Sequence, residues 1–207
     1  MGKEWKGNSA AARTRLGIKA DHTTKGREQD DFYATDPEAL QMLLDGCSEY
    51  LRKELNNCTG IWECACGNGN LAECLRNNGY NVAASDLKDR GYGLTGKDFL
   101  KTKVSGFTII LTNPPYSIAN EFALHALKIL PDDGLYIALQ NITYLAGKKR
   151  YNEIYSDGVL REVYIFSKRV NCWRNNDKQS KNSCMMVDYA WYVFQKGYKG
   201  QPTLYWL

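Results

Sequence analysis

The chain has 207 residues, 43% of them hydrophobic and 24% charged, with a net charge of +4. That is enough for one domain with a substantial core. No run approaches the ~18 apolar residues of a membrane span and no signal-peptide stretch opens the chain, so the expected setting is cytoplasmic, without a membrane partner. The seven cysteines are odd in number and form no C-x-x-C pair. The two histidines, His22 and His125, lie outside their tightest group, Cys58, Cys64, Cys66 and Cys74. A disulfide framework and a zinc site are therefore not expected, and no metal is assigned.

The charge is unevenly placed. Residues 1–28 hold seven Lys/Arg against three Asp/Glu, which is the whole excess, and residues 148–181 hold nine against four. Two basic stretches suit a polyanion; solvated surface and a disordered leader are the bland alternative.

In chain order, residues 1–31 lack apolar periodicity and read as a basic arm ahead of a single domain over 32–207. Thr35-Asp36-Pro37-Glu38 is a helix start with a capping box from Thr35 to Glu38. Leu40, Leu43, Leu44, Cys47, Leu51 and Leu55 then continue one amphipathic helix to about residue 56. Residues 60–65 read as a buried strand. Cys66-Gly67-Asn68-Gly69-Asn70 follows as a turn, then a helix over 71–78, and a second strand over 81–85 ending at Asp86. Strand, glycine turn, helix, strand, acid is the first unit of a nucleotide-binding α/β fold. The glycines let the backbone approach a ligand, and the acid can receive both ribose hydroxyls. Asp98-Phe99 next offers a carboxylate for an adenine amine and a ring to cover the base; the alternative is a solvated acid beside a core phenylalanine.

Residues 107–112 form an apolar strand that ends in Asn113-Pro114-Pro115-Tyr116. Two successive prolines make a stiff loop. The Asn113 side-chain carbonyl and the Pro114 main-chain carbonyl can accept both hydrogens of a planar exocyclic NH2 group, and Tyr116 supplies a stacking face. Such acceptors favour the charge that builds on an aromatic amine as it attacks the methyl of S-adenosylmethionine. A strand-end turn is the plain alternative. The loose Gly67-x-Gly69-x-x-Ala72 fingerprint also admits a nicotinamide-dependent oxidoreductase, but nothing downstream supports hydride chemistry.

The remainder reads as a helix over 121–130, a turn over 131–134, a strand over 135–139, a helix over 148–155, and strands over 160–166 and 187–194. The aromatic-rich Tyr189, Trp191, Tyr192 and Phe194 fit core strand. Between the last two strands lies a long polar connection, 174–183, where Trp173 stands beside Arg174, Lys178 and Lys181. A ring beside cations suits a nucleic-acid strand, and Lys148, Lys149, Arg150, Lys168 and Arg169 extend the basic set.

These residues carry a family resemblance. Phe32-Tyr-Ala-Thr-Asp-Pro37, Glu63-Cys-Ala-Cys-Gly-Asn-Gly69, Asp86, Asp98-Phe99, Asn113-Pro-Pro-Tyr116 and the strand Tyr189-Ala-Trp-Tyr192 together resemble the small DNA N6-adenine methyltransferases of bacteriophages and prophages, which are class I S-adenosylmethionine-dependent enzymes. The resemblance runs from about residue 31 to the C-terminus. It implies a Rossmann-like α/β fold with a seven-stranded, mostly parallel sheet, an antiparallel C-terminal hairpin and helices on both faces. It also implies that Tyr33 and Thr35 hold the cofactor's methionine end, Glu63 and Gly67 its amino group, Asp86 its ribose, and Asp98 with Phe99 its adenine, with Ala65 and Gly69 also at the cofactor. Asn113, Pro114, Pro115 and Tyr116 would hold the target base, with Trp173 as a second wall. The implied partner is double-stranded DNA with the base flipped out, in a bacterial cell or phage-infected host. No insert is long enough for a separate target-recognition domain. Alternatives are the same chemistry on RNA adenine or on a glutamine amide of a translation release factor, and a non-catalytic DNA-binding or decoy protein.

Overall fold

A computed structural model describes residues 33–168, 170, 172–174 and 188–207. The strands are β1 (Tyr33–Thr35), β2 (Ile61–Glu63), β3 (Val82–Ala84), β4 (Ile109–Thr112), β5 (Leu135–Asn141), β6 (Leu160–Ile165), β7 (Cys172–Arg174), β8 (Tyr189–Gln195) and β9 (Thr203–Trp206). The α-helices are α1 (Pro37–Gly46), α2 (Glu49–Asn57), α3 (Asn70–Asn77), α4 (Ala119–Ile129) and α5 (Lys148–Glu153). Seven strands form one sheet in the order β3-β2-β4-β5-β8-β6-β9, and β1 pairs with β7 in a separate ribbon. Neighbours are parallel from β3 to β5 and again at β6–β9, whereas β8 runs against both β5 and β6.

The expected mostly parallel sheet with an antiparallel C-terminal pair is thus the observed one. Both faces are covered, which is why the central strands read as continuous apolar runs. On β8, Tyr189, Trp191 and Val193 enter the core that also holds α1, α2 and α3. Ala190, Tyr192 and Phe194 point the other way, to the core shared with α4. All seven β8 residues are buried.

Several local features differ from the sequence reading, among them the β1–β7 ribbon, neither strand of which was read. The helix over 37–56 is two helices. Cys47 and Ser48 are extended, the Ser48 side chain caps α2 by accepting the Leu51 N–H, and its hydroxyl donates to Glu162 at 2.7 Å. Apolar spacing persisted across the break because both helices face the same core; Gly46 followed by Ser48 was the stop-and-cap signal. The cap of α1 is Asp36, which accepts the Glu38 N–H at 3.1 Å, and not Thr35. Strand β9 went unread because it is short and mostly exposed, with no buried face to impose an alternation.

Candidate active site

Strands β2 and β4 are neighbours, while β2 connects outward to β3 on its other side. The strand order therefore reverses between β2 and β4, and loops leaving their C-terminal ends flank a crevice, the usual ligand position in such sheets. The glycine turn follows β2; Asn113-Pro114-Pro115-Tyr116 follows β4.

The turn is built by backbone geometry. Gly67 and Gly69 have φ of 55° and 87°, the left-handed region that glycine enters without steric cost. A Cβ at Gly69 would lie 2.6 Å from the Tyr92 ring, so glycine is required there on both counts. Tyr92 covers the turn, and its hydroxyl bonds Glu73 and Arg76. Sequence reasoning missed Tyr92; nothing in its local pattern places it over a turn 23 residues earlier.

Asp86 lies two residues past the end of β3 and is 9% exposed. One carboxylate oxygen accepts the Gly67 N–H and the other the Lys88 N–H, both at 2.8 Å. Glu63 is 2% exposed. Burial, with a smaller contribution from the Asp86 charge, pushes its carboxyl up to about 8, against an opposing hydrogen bond from the Ala72 N–H. Its Oε2 is buried with no hydrogen-bond partner among the described residues. Ala65 lies half-buried in the turn between them.

Asn113 is half-buried and donates from Nδ2 to the Thr35 hydroxyl at 2.8 Å. Asn70, the first residue of α3, donates from its own Nδ2 to the Thr35 carbonyl at 2.9 Å. Thr35 thus joins the two loops across the crevice. Pro114 is buried, Pro115 and Tyr116 half-buried, and the Tyr116 ring faces Tyr189 at 6.0 Å between centroids. Tyr189 also lines a cavity of about 250 Å³ with Ile165, Phe166, Ser167, Lys168 and Asp188.

No protein-family model and no curated protein matches the sequence. Solved structures do match the fold. The chain superposes on a protein assigned to the class I S-adenosylmethionine-dependent methyltransferases from Listeria monocytogenes with a TM-score of 0.58 at 12% identity, covering 87% of this chain and 68% of that one. A type I restriction-modification methyltransferase subunit from Streptococcus thermophilus gives 0.56 at 16% identity, covering 81% and 45%. A protein assigned as an RNA methyltransferase from Pyrococcus horikoshii gives 0.53 at 15%, covering 77% and 82%. The fold is that of the class I methyltransferases. The chain spans less than half the length of the restriction-modification subunit.

Within the class I methyltransferase fold, the other expected site residues divide. Asp98 caps the 3-10 helix Phe99–Lys101 through the Leu100 N–H and pairs with Lys101 at 3.1 Å. Phe99 is 2% exposed and packs on Trp62, Phe122 and His125, so it is a core residue. Arg150, expected at a phosphate, is also a structural clamp: its guanidinium lies over the Tyr144 ring and donates to Asn120 Oδ1 and to the carbonyl of Tyr144. Lys148 and Lys149 are exposed on α5, and Lys149 reaches Glu153 at 3.8 Å. Lys168 pairs with Glu38 at 2.6 Å. For Tyr33, Trp173 and Arg174 only the strand positions are described, with Tyr33 opposite Arg174 and Ala34 opposite Trp173. Arg169, Lys178, Lys181, the arm over 1–31 and the connection over 175–183 lie outside the described residues. Among the described residues no His, Cys, Asp and Glu group could hold a metal ion, and no helix is long and apolar enough to cross a membrane.

Proposed function

We propose that this chain is an S-adenosylmethionine-dependent methyltransferase acting on the exocyclic N6 amine of adenine in DNA, of the phage and prophage kind. The observation that carries the reading is Asn113. It directly follows a central parallel strand, stands across the crevice from the glycine turn, and gives Nδ2 to Thr35, so the acceptor chemistry of the amide lies at Oδ1.

The residues present fit the cofactor. Glu63 Oε2, a buried acceptor under the turn, suits the ammonium of the methionine end, and the Gly67 and Gly69 backbone permits close approach. Asp86 keeps acceptor capacity for the ribose beyond the two N–H groups it holds, and the Asp98 carboxylate is the candidate acceptor for the adenine amine. When bound, S-adenosylmethionine supplies a methyl already activated by its sulfonium.

The chain's own work is positioning. Asn113 Oδ1 and the Pro114 carbonyl accept the two N6 hydrogens of the target, which raises electron density on nitrogen as it attacks. Tyr116 stacks on the base. The proton on N6 becomes acidic once the methyl has transferred and leaves to water, so a neutral amide suffices. A duplex substrate requires the adenine to leave the stack.

The ribbon supports a polyanionic substrate. Because Tyr33 pairs with Arg174 in an antiparallel register, the chain preceding β1 and the chain following β7 depart from the same end of it. Those are the basic arm, 1–31, and the basic connection after Arg174. Residues 32–207 then act as one domain without a separate target-recognition domain.

The test is transfer of labelled methyl from S-adenosylmethionine to unmethylated duplex DNA, to RNA and to protein, followed by nucleoside analysis. N6-methyladenine in DNA is the expected product. Label confined to RNA or to protein glutamine overturns the DNA substrate, and no label in any acceptor overturns the enzyme.

A further inference from the structure

The family resemblance puts Thr35 at the methionine end of the cofactor, yet both of its oxygens are engaged inside the protein. Oγ1 accepts Asn113 Nδ2 at 2.8 Å and the carbonyl accepts Asn70 Nδ2 at 2.9 Å. The residue is 4% exposed, and its backbone is held opposite Cys172 in the ribbon. We infer that Thr35 is a positioning residue: its hydroxyl anchors the Asn113 side chain and so sets where the amide stands when the target amine arrives. This rests on the methyltransferase reading above.

The chemistry is that of a two-faced side chain. An amide offers a carbonyl on one side and an NH2 on the other. With Nδ2 donated to Thr35, the acceptor chemistry for an N6 hydrogen lies at Oδ1. With the amide turned over, two NH2 groups would oppose each other, donor against donor, and the acceptor would be lost. Thr35 anchors the side chain before substrate arrives, which is preorganisation of the acceptor. The Asn70 contact adds register. Asn70 directly follows Gly69, so one residue ties the cofactor turn to the acceptor loop, and a shift of either loop is felt by the other.

Thr35→Val keeps the shape and removes the acceptor, whereas Thr35→Ser keeps it. Single-turnover methyl transfer to duplex DNA should fall on the order of tenfold or more in Thr35→Val, with the S-adenosylmethionine Kd by calorimetry within about twofold of wild type, and Thr35→Ser should restore most of the rate. A weakened Kd with an unchanged transfer rate overturns the inference and returns Thr35 to the cofactor. An unchanged rate and Kd overturn it as well. A readout without turnover is the side-chain amide of Asn113 in nitrogen-15 spectra of the cofactor-free protein, assigned by its disappearance in Asn113→Ala. Thr35→Val should shift that NH2 pair and speed its exchange with water, while Thr35→Ser should leave it near its wild-type position. If wild type transfers no methyl to any acceptor, the methyltransferase reading fails separately, and an NH2 pair unmoved by Thr35→Val overturns the Thr35 contact on its own.

Discussion

The Asp86 carboxylate accepts the backbone N–H of Gly67 at 2.8 Å, tying the end of β3 to the turn that follows β2. An acid read from sequence as a ligand group is therefore also a structural member of the turn. Asp86→Ala removes the acceptor for two main-chain N–H groups, Gly67 and Lys88, at a cost of roughly 1–3 kcal/mol for each one left buried. Cofactor affinity and melting temperature should fall together. Asp86→Asn keeps one acceptor oxygen and should recover part of both, as calorimetry and a thermal melt would report; affinity unchanged in both variants would remove Asp86 from the cofactor site.

Asn113→Ala deletes the proposed acceptor without touching the glycine turn. Methyl transfer should fall about 100-fold or more, in the range found for loss of one preorganised group, with cofactor Kd within about twofold. Activity within severalfold of wild type would mean that another group receives the amine.

Glu63 makes both binding and stability depend on pH in a stated direction. With its carboxyl near pH 8 it is mostly neutral at pH 6, and binding the cofactor's ammonium requires it to ionise. Affinity should rise close to tenfold between pH 6 and 7, then decline above about pH 8 as the cofactor's own α-amine loses its charge. Titrations across that range should give a bell, and Glu63→Gln should abolish its acid limb. Stability runs the other way. A carboxyl raised in the folded state from 4.5 to about 8 contributes stability that is fully present below pH 4.5 and lost as pH rises through about 8. The full loss is on the order of 5 kcal/mol. Chemical denaturation at pH 5 and pH 8 should show it in wild type, and Glu63→Gln should flatten the difference; equal slopes would place the titration elsewhere.

Gly69 and Gly79 share a φ of 87°, but a Cβ at Gly69 meets the Tyr92 ring at 2.6 Å while one at Gly79 meets nothing within 4 Å. Both alanine variants incur the left-handed penalty of about 1–2 kcal/mol. Gly69→Ala should be the less stable of the two in urea, and adding Tyr92→Ala should bring it back to the level of Gly79→Ala.

Removing residues 1–28 takes away seven Lys/Arg. DNA affinity should drop, and its salt dependence should flatten by about 0.9 in log–log slope for each phosphate the arm neutralises. A filter-binding series from low to moderate salt checks this, and an unaltered slope would leave the arm without a DNA role.

The order of elements from β2 to β6, strand β8, the glycine turn, Asp86 after β3 and Asn113 after β4 were legible in the sequence because each has a local cause. Buried strands need unbroken apolar runs, a tight turn needs glycine, and successive prolines stiffen a loop whatever surrounds them. Contacts between distant segments had no such local cause. Nothing near Thr35 indicates that its hydroxyl meets Asn113, 78 positions away. Phe99 became core because Trp62, Phe122 and His125 converge on it, and Arg150 became a clamp because the Tyr144 ring and carbonyl lie within its reach. A charge count registers neither event, since both are set by which side chains the sheet brings into contact and not by sequence spacing.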